Sequence, residues 1–247
     1  MAHEGTHATT TPAPPPLPGP PPLTQGWHDA VFVHWRIAPE RVAPLLPAHT
    51  RPDVLDGDAH VGLVAFRVPF TTAAGTVPLG GFHEVNVRVY SVDERGRQGV
   101  VFLSMDADAA HSVVAARLLT GLPYMWSDVS LRTARNGVRA GAVRRRVPGR
   151  GTGGHWRVAV DGPVAEPSPL EHFLTARWGL HTSHLGATRW IRVTHEPWPL
   201  HRARLLDYRG DLLDAAGVSV TDPRPVSVLW SPGVTAGVRP TLAPVRS

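Results

Sequence analysis

The chain has 247 residues, 20 acidic against 25 basic for a formal charge of +5, and no cysteine. All 25 basic residues are arginine, and no lysine occurs anywhere. Disulfides, thiolate nucleophiles and cysteine-ligated zinc or iron–sulfur clusters are excluded. So is an imine-forming lysine, because a guanidinium stays protonated and forms no imine.

Met1–Pro22 is rich in His, Thr and Pro and lacks the basic start and apolar stretch of a secretory signal. Thr9–Pro22 reads TTTPAPPPLPGPPP, an extended polyproline-type leader that is either disordered or docks an SH3-like groove. The expected organisation is a disordered leader over 1–25, one domain over 26–231 and an irregular tail over 232–247. Trp27–Ile37 (WHDAVFVHWRI) has strand character, Pro39 opens a short helix, and Ala59–Phe70 is a second strand. Phe82–Val92 alternates, with Val85, Val87 and Val89 on one side and Glu84, Asn86, Arg88 and Tyr90 on the other. The turn DERGRQG leads into a hairpin partner, Val100–Met105. Ala107–Thr120 is the main helix, with Val113, Ala116 and Leu118 on its apolar stripe and Gly121 as its stop.

Beyond the helix, Tyr124–Thr133, Val138–Val147 and His155–Val160 form a meander with glycine-rich turns, and Leu170–Phe173 is one helical turn. Thr188–His195, Leu200–Asp207 and Val226–Leu229 complete the strands. Many strands, few helices and no βαβ rhythm predict an α+β, mostly β fold, as a mainly antiparallel sheet or barrel. No apolar run approaches the ~20 residues that span a bilayer, and the modest charge calls for no nucleic-acid partner. The absence of cysteine suits a reducing, cytoplasmic compartment.

Six segments in order carry a family resemblance: Trp35–Pro47 (WRIAPERVAPLLP), Asp56–Phe66 (DGDAHVGLVAF), Phe82–Tyr90 (FHEVNVRVY), Gly99–Asp106 (GVVFLSMD), Ala115–Tyr124 (AARLLTGLPY) and His195–Leu200 (HEPWPL). Over roughly residues 27–230 the chain resembles the YqjF-like family of uncharacterised proteins (domain of unknown function 2071), in the acetoacetate-decarboxylase-like superfamily. The resemblance implies a cone-shaped antiparallel β-barrel with an interior cavity, one main helix at about 107–120 and short flanking helices. It implies that Glu84 corresponds to an active-site glutamate of the decarboxylases. It also implies that Tyr124, with Met125 after it, stands where they keep the Schiff-base lysine and its neighbour. Decarboxylation through an imine is then out of reach unless an external amine substitutes. Superfamily members often assemble, which leaves a homo-oligomer open.

Glu84, Asn86 and Arg88 either line the lumen or form a solvated strand face. A lumenal carboxylate needs a partner, and Arg88 or Arg117 could supply it. Arg117 could clamp a ligand carboxylate or hold a purely structural position. Tyr124 could donate to a ligand carbonyl, act as a general acid, or simply pack. His34 and His195 either line the cavity or sit satisfied in the structure. His181 with His184 and His195 with His201 are the candidate metal pairs, but i, i+3 spacing on a strand splits the faces, so neither metal nor cofactor is expected. Arg144–Arg146 reads as a solvated strand end. Three functions follow. The first is binding of a small organic acid or carbonyl compound. The second is acid–base catalysis on a keto-acid or polyketide-like substrate, with Glu84 as base and Tyr124 as acid. The third is an interaction role for the leader.

Overall fold

Runs of valine, tryptophan and phenylalanine at period two build most of the molecule as sheet. The computed structural model describes residues 11–245, and Met1–Thr10 of the expected leader lie outside them. In chain order the elements are β1 (Leu23–Ile37), α1 (Pro39–Val42), β2 (Thr50–Pro52), β3 (Ala59–Ala73), β4 (Val77–Asp93) and β5 (Gln98–Ala107). Next come α2 (Ala110–Thr120), β6 (Tyr124–Thr133), β7 (Arg139–Val147), β8 (Gly153–Pro163), α3 (Pro169–Thr175) and β9 (Gly179–His184). The chain finishes with β10 (Ala187–Thr194), β11 (His201–Gly210), α4 (Leu212–Ala215) and β12 (Ser227–Pro244).

Two strands fork the sheet. One edge of β5 takes β6 at Met105–Ala107 and β9 at Val100. One edge of β12 takes β11 near its start and β10 near its end. Hydrogen bonding therefore closes into two rings that share β12, β1, β3, β4 and β5. The ring completed by β6, β7, β8 and β11 is packed solid with Trp35, Val85, Val87, Val89, Trp156 and Val158. The ring completed by β9 and β10 is hollow, and all seven of its strands contribute to the lining. β4 separates the two, so both of its faces are buried.

Three expectations need correction. Of the tail expected to be irregular over 232–247, residues 232–244 are instead the second half of β12, because Thr235–Val238 pair with Leu23–Gly26 on one side and, over Gly237–Val238, with β10 on the other, and residues 246–247 lie outside the described residues. The leader is not loose where it is described. Leu23 starts β1, Trp178 Nε1 donates to Thr11 O at 2.8 Å, Ala74 N donates to Pro22 O at 2.9 Å, and Arg239 bonds Pro20 O. In α2 only Val113 is buried, while Leu118 is 71% exposed. The helix roofs a hollow rather than a packed core, so its stripe has little to bury against. Among the described residues no helix is long and apolar enough to cross a membrane.

Candidate functional site

Strand register brings the acidic group and the phenol together. Phe66, Glu84 and Ala107 form one row across β3, β4 and β5, and Val64, Asn86 and Met105 form the next. The parallel pairing of Met105 with Tyr124 extends that second row into β6. Gly121 ends α2 in the left-handed region, with φ 71° and its N–H on Arg117 O, and so reverses the chain toward β6. Arg117 Nη1 then donates to Tyr124 O at 2.6 Å and ties the helix to the start of that strand.

Tyr124 Oη donates to Glu84 Oε2 at 2.9 Å, and Asn86 Nδ2 donates to Oε1 at 3.0 Å. Glu84 is 3% exposed. Burial pushes its carboxyl up to about 7; the hydrogen bonds from Asn86 and Tyr124 work against that, Asp106 adds to it, and Arg88 opposes it. Burial and the same carboxylate hold the Tyr124 phenol well above its usual range, so it remains a donor. Asp106 is itself fixed by Arg145 at 2.8 and 3.0 Å and by Ser127 Oγ at 2.7 Å. The run Arg144–Arg146 is therefore not uniformly solvated: alternation turns Arg145 inward, 5% exposed, and leaves its neighbours outside.

These groups open on a cavity of about 490 Å³. Glu84, Asn86, Arg88, Tyr124 and His195 line it together, among apolar walls that include Phe32, Val64, Phe66, Phe102 and Leu180. Of the two candidate partners for Glu84, Arg117 bonds Tyr124 O and Arg88 also turns to a backbone carbonyl. Its Nη2 donates to Leu174 O at 3.1 Å, and its guanidinium lies 5.7 Å from the Phe32 ring centroid and 5.8 Å from that of Tyr90.

Two expected site residues fall outside the lining. Arg117 spends its charge on a backbone carbonyl, as above. His34 is fully buried, 2.8 Å from Tyr90 Oη; that phenol donates to Leu174 O at 2.9 Å, which leaves its oxygen to accept from His34 Nε2. Burial, then the charges of Arg88 and His60, lower His34 well below the usual histidine range. Of the histidines considered as metal pairs, His181 Nδ1 lies 2.8 Å from Ser91 Oγ, His195 packs tilted against Trp198, and His201 packs edge-on against Trp230.

His195 donates from Nδ1 to Glu196 O at 2.6 Å and is surrounded by Trp178, Trp198 and Trp27 at 4.8, 5.1 and 5.8 Å. Burial drops it to about 4, against the pull of the Glu196 carbonyl and with a further push from Arg88. Sequence reasoning missed Arg177, which also lines the cavity and is held by Asp53 at 2.5 Å and Phe173 O at 2.7 Å. Nothing local in Ala176–Leu180 signals it, because its partners come from residue 53 and from the turn before it. Pro22 and Leu23, assigned to the leader, line the cavity as well.

Comparison with known proteins agrees with this architecture. A family model described as DUF2071, uncharacterized conserved protein, matches residues 24–235. The uncharacterized protein YqjF of Bacillus subtilis (strain 168) is 27% identical over 209 residues, 83% of this chain and 85% of that one. The acetoacetate decarboxylase of Legionella pneumophila superposes with a TM-score of 0.63 at 17% identity, over 96% of this chain and 93% of that one. The enduracididine biosynthesis enzyme MppR complexed with pyruvate gives a TM-score of 0.59 at 19% identity, over 90% and 91%. At these identities the structural likenesses establish the fold, which is acetoacetate-decarboxylase-like and mostly β.

Proposed function

We propose, from the premise that this chain belongs to the DUF2071 family of uncharacterized conserved proteins, that it binds a small organic acid or carbonyl compound inside the hollow ring. Arg88 takes a carboxylate, while Glu84 and Tyr124 face a carbonyl or hydroxyl oxygen. The observation that carries this reading is the meeting of Glu84, Asn86, Tyr124 and Arg88 on one mainly apolar cavity of about 490 Å³. A few convergent polar groups in an apolar hollow are the usual make-up of a small-molecule site. The neighbour MppR was solved with pyruvate, which supports an organic acid as occupant. By resemblance Tyr124 replaces the imine-forming lysine, and the sequence offers no other lysine.

Thermal shift and ligand-observed NMR over a panel of oxo acids, hydroxy acids and small ketones test the reading. Ligands that bind the native state raise its midpoint by mass action. At least one panel member should bind wild type and lose affinity in Arg88→Met. A panel without a binder, or a binder indifferent to Arg88→Met, Glu84→Gln and Tyr124→Phe, sinks it.

A second reading, an acid–base enzyme without lysine chemistry, is favoured by the Glu84 carboxyl sitting at about 7 in direct contact with a phenol. Such a carboxyl exchanges protons readily near neutral pH. Glu84→Gln discriminates the two readings: an enzyme keeps its substrate and loses turnover, whereas a binder changes only affinity.

A further inference from the structure

The aromatic end of the cavity holds an acceptor without a donor. His195 is 5% exposed and lines the cavity. Its Nδ1–H is already committed to Glu196 O at 2.6 Å. A neutral imidazole whose Nδ1 carries the proton can only accept at Nε2. No described residue hydrogen-bonds Nε2, and that atom is not among the polar atoms sealed off inside the protein. Such an acceptor is open to a donor brought by a ligand.

Aromatic rings connect this acceptor to the cation of the site. From His195 the wall passes to Trp198 at 5.1 Å, then to Phe32 at 5.1 Å, where the Arg88 guanidinium lies 5.7 Å from the ring centroid. A succession of rings, inclined at 59° and 78° to their neighbours, thus runs from a lone-pair acceptor to the Arg88 cation. A flat, unsaturated body covers ring faces better than a flexible chain and loses less rotational freedom in doing so.

We propose that the ligand is a planar hydroxylated carboxylic acid, of the phenolic-acid class, with its carboxylate on Arg88 and its hydroxyl donating to His195 Nε2. This rests on the reading that the cavity takes an organic acid, and it adds the aromatic body, the hydroxyl and their orientation. His195 is on this view a specificity-determining residue.

The test is calorimetric titration of 4-hydroxycinnamate, cinnamate, octanoate and pyruvate into wild type and His195→Phe. Wild type should bind 4-hydroxycinnamate about tenfold more tightly than cinnamate, the discrimination expected of one hydrogen bond to a buried acceptor, and His195→Phe should erase that gap. Equal affinities in wild type, or a gap that survives His195→Phe, overturn the inference while leaving the organic-acid reading intact. The same holds if octanoate or pyruvate binds and neither aromatic acid does. If none of the four probes binds, the inference falls, and the wider panel of oxo acids, hydroxy acids and ketones decides the organic-acid reading separately. Should His195→Phe not fold, the two cinnamates on wild type decide the matter alone.

Discussion

Tyr124 Oη reaches Glu84 Oε2 at 2.9 Å across 40 residues of chain, in a place where both side chains are buried. The contact depends on β5, which pairs antiparallel with β4 and parallel with β6 and so seats the start of β6 beside the middle of β4.

The first prediction concerns pH. An ordinary glutamate near 4.5 becomes one near 7 in the folded protein, so the native state holds this proton more tightly than the unfolded chain. The stability that protonated Glu84 contributes is full below 4.5 and is lost as pH rises through about 7. His60, His181 and His195 act in the opposite direction: burial lowers each to about 4, so their contribution is full above 6.5 and lost as pH falls toward 4. In the difference between wild type and Glu84→Gln the histidine contributions cancel. From pH 4.5 to pH 8 wild type should lose about 3 kcal/mol against Glu84→Gln in urea denaturation. A difference that stays flat with pH contradicts an elevated Glu84.

A second prediction exploits the missing amine. Tyr124→Lys places a primary amine beside Glu84 in a chain that has no other lysine. Burial of that amine lowers its pKa and frees its lone pair. Borohydride in the presence of acetoacetate should trap a covalent adduct in the variant and leave wild type unmodified at every residue beyond the N-terminal amine. Mass spectrometry of the peptide containing residue 124 reads the result, and an unmodified variant peptide counts against the placement of Tyr124 in an accessible cavity.

Third, Gly62 gives way to His34. A Cβ at Gly62 would sit 2.7 Å from both Cδ2 and Nε2 of the His34 ring. Gly62→Ala must push the ring off Tyr90 and overpack a buried position, and should cost about 1–3 kcal/mol. Chemical denaturation at pH 7 measures it; an unchanged midpoint would mean the ring has room that the structure does not give it.

The leader supplies a fourth prediction. Deleting residues 1–22 removes the partners of Trp178 Nε1 and Ala74 N and takes away Pro22 from the cavity rim. The body should still fold, with stability lowered by about 1–3 kcal/mol for the three lost hydrogen bonds, that of Arg239 to Pro20 O included, and their packing. Tryptophan emission should shift to the red as Trp178 becomes wetter. Unaltered stability and emission would show that the leader does not rest on the body.

Much of the fold is legible in the sequence because alternation is a local signal. The valines at 85, 87 and 89 and the polar residues between them mark β4 as a strand with two distinct faces, and Tyr124–Thr133 is a strand with the bounds the pattern gives. The YqjF-like resemblance and the mostly β, acetoacetate-decarboxylase-like fold stand likewise. Relations between distant segments leave no such local mark. β9 is six residues long and includes Gly179, which a Cβ would drive into Trp190, so composition hides it as strand. β12 continues past Pro232 and Gly233 because two neighbours supply its hydrogen bonds. Arg145 and Arg177 look like surface charges until their carboxylate partners, Asp106 and Asp53, arrive from 39 and 124 residues away.

The double burial of β4 has a consequence for how such a protein can change over time. Even-numbered positions from 84 to 90 belong to the hollow or its polar backing, while the odd-numbered valines hold the solid ring. Substitution on the even-numbered set reshapes the hollow and leaves the packing of the odd-numbered valines in place. A slip of a single residue in the ladder with β3 would exchange the two sets, hand the carboxylate to a dry interior and ruin both compartments at once. Change in the hollow is thus compatible with the packed ring only as long as the strand's phase is inherited intact.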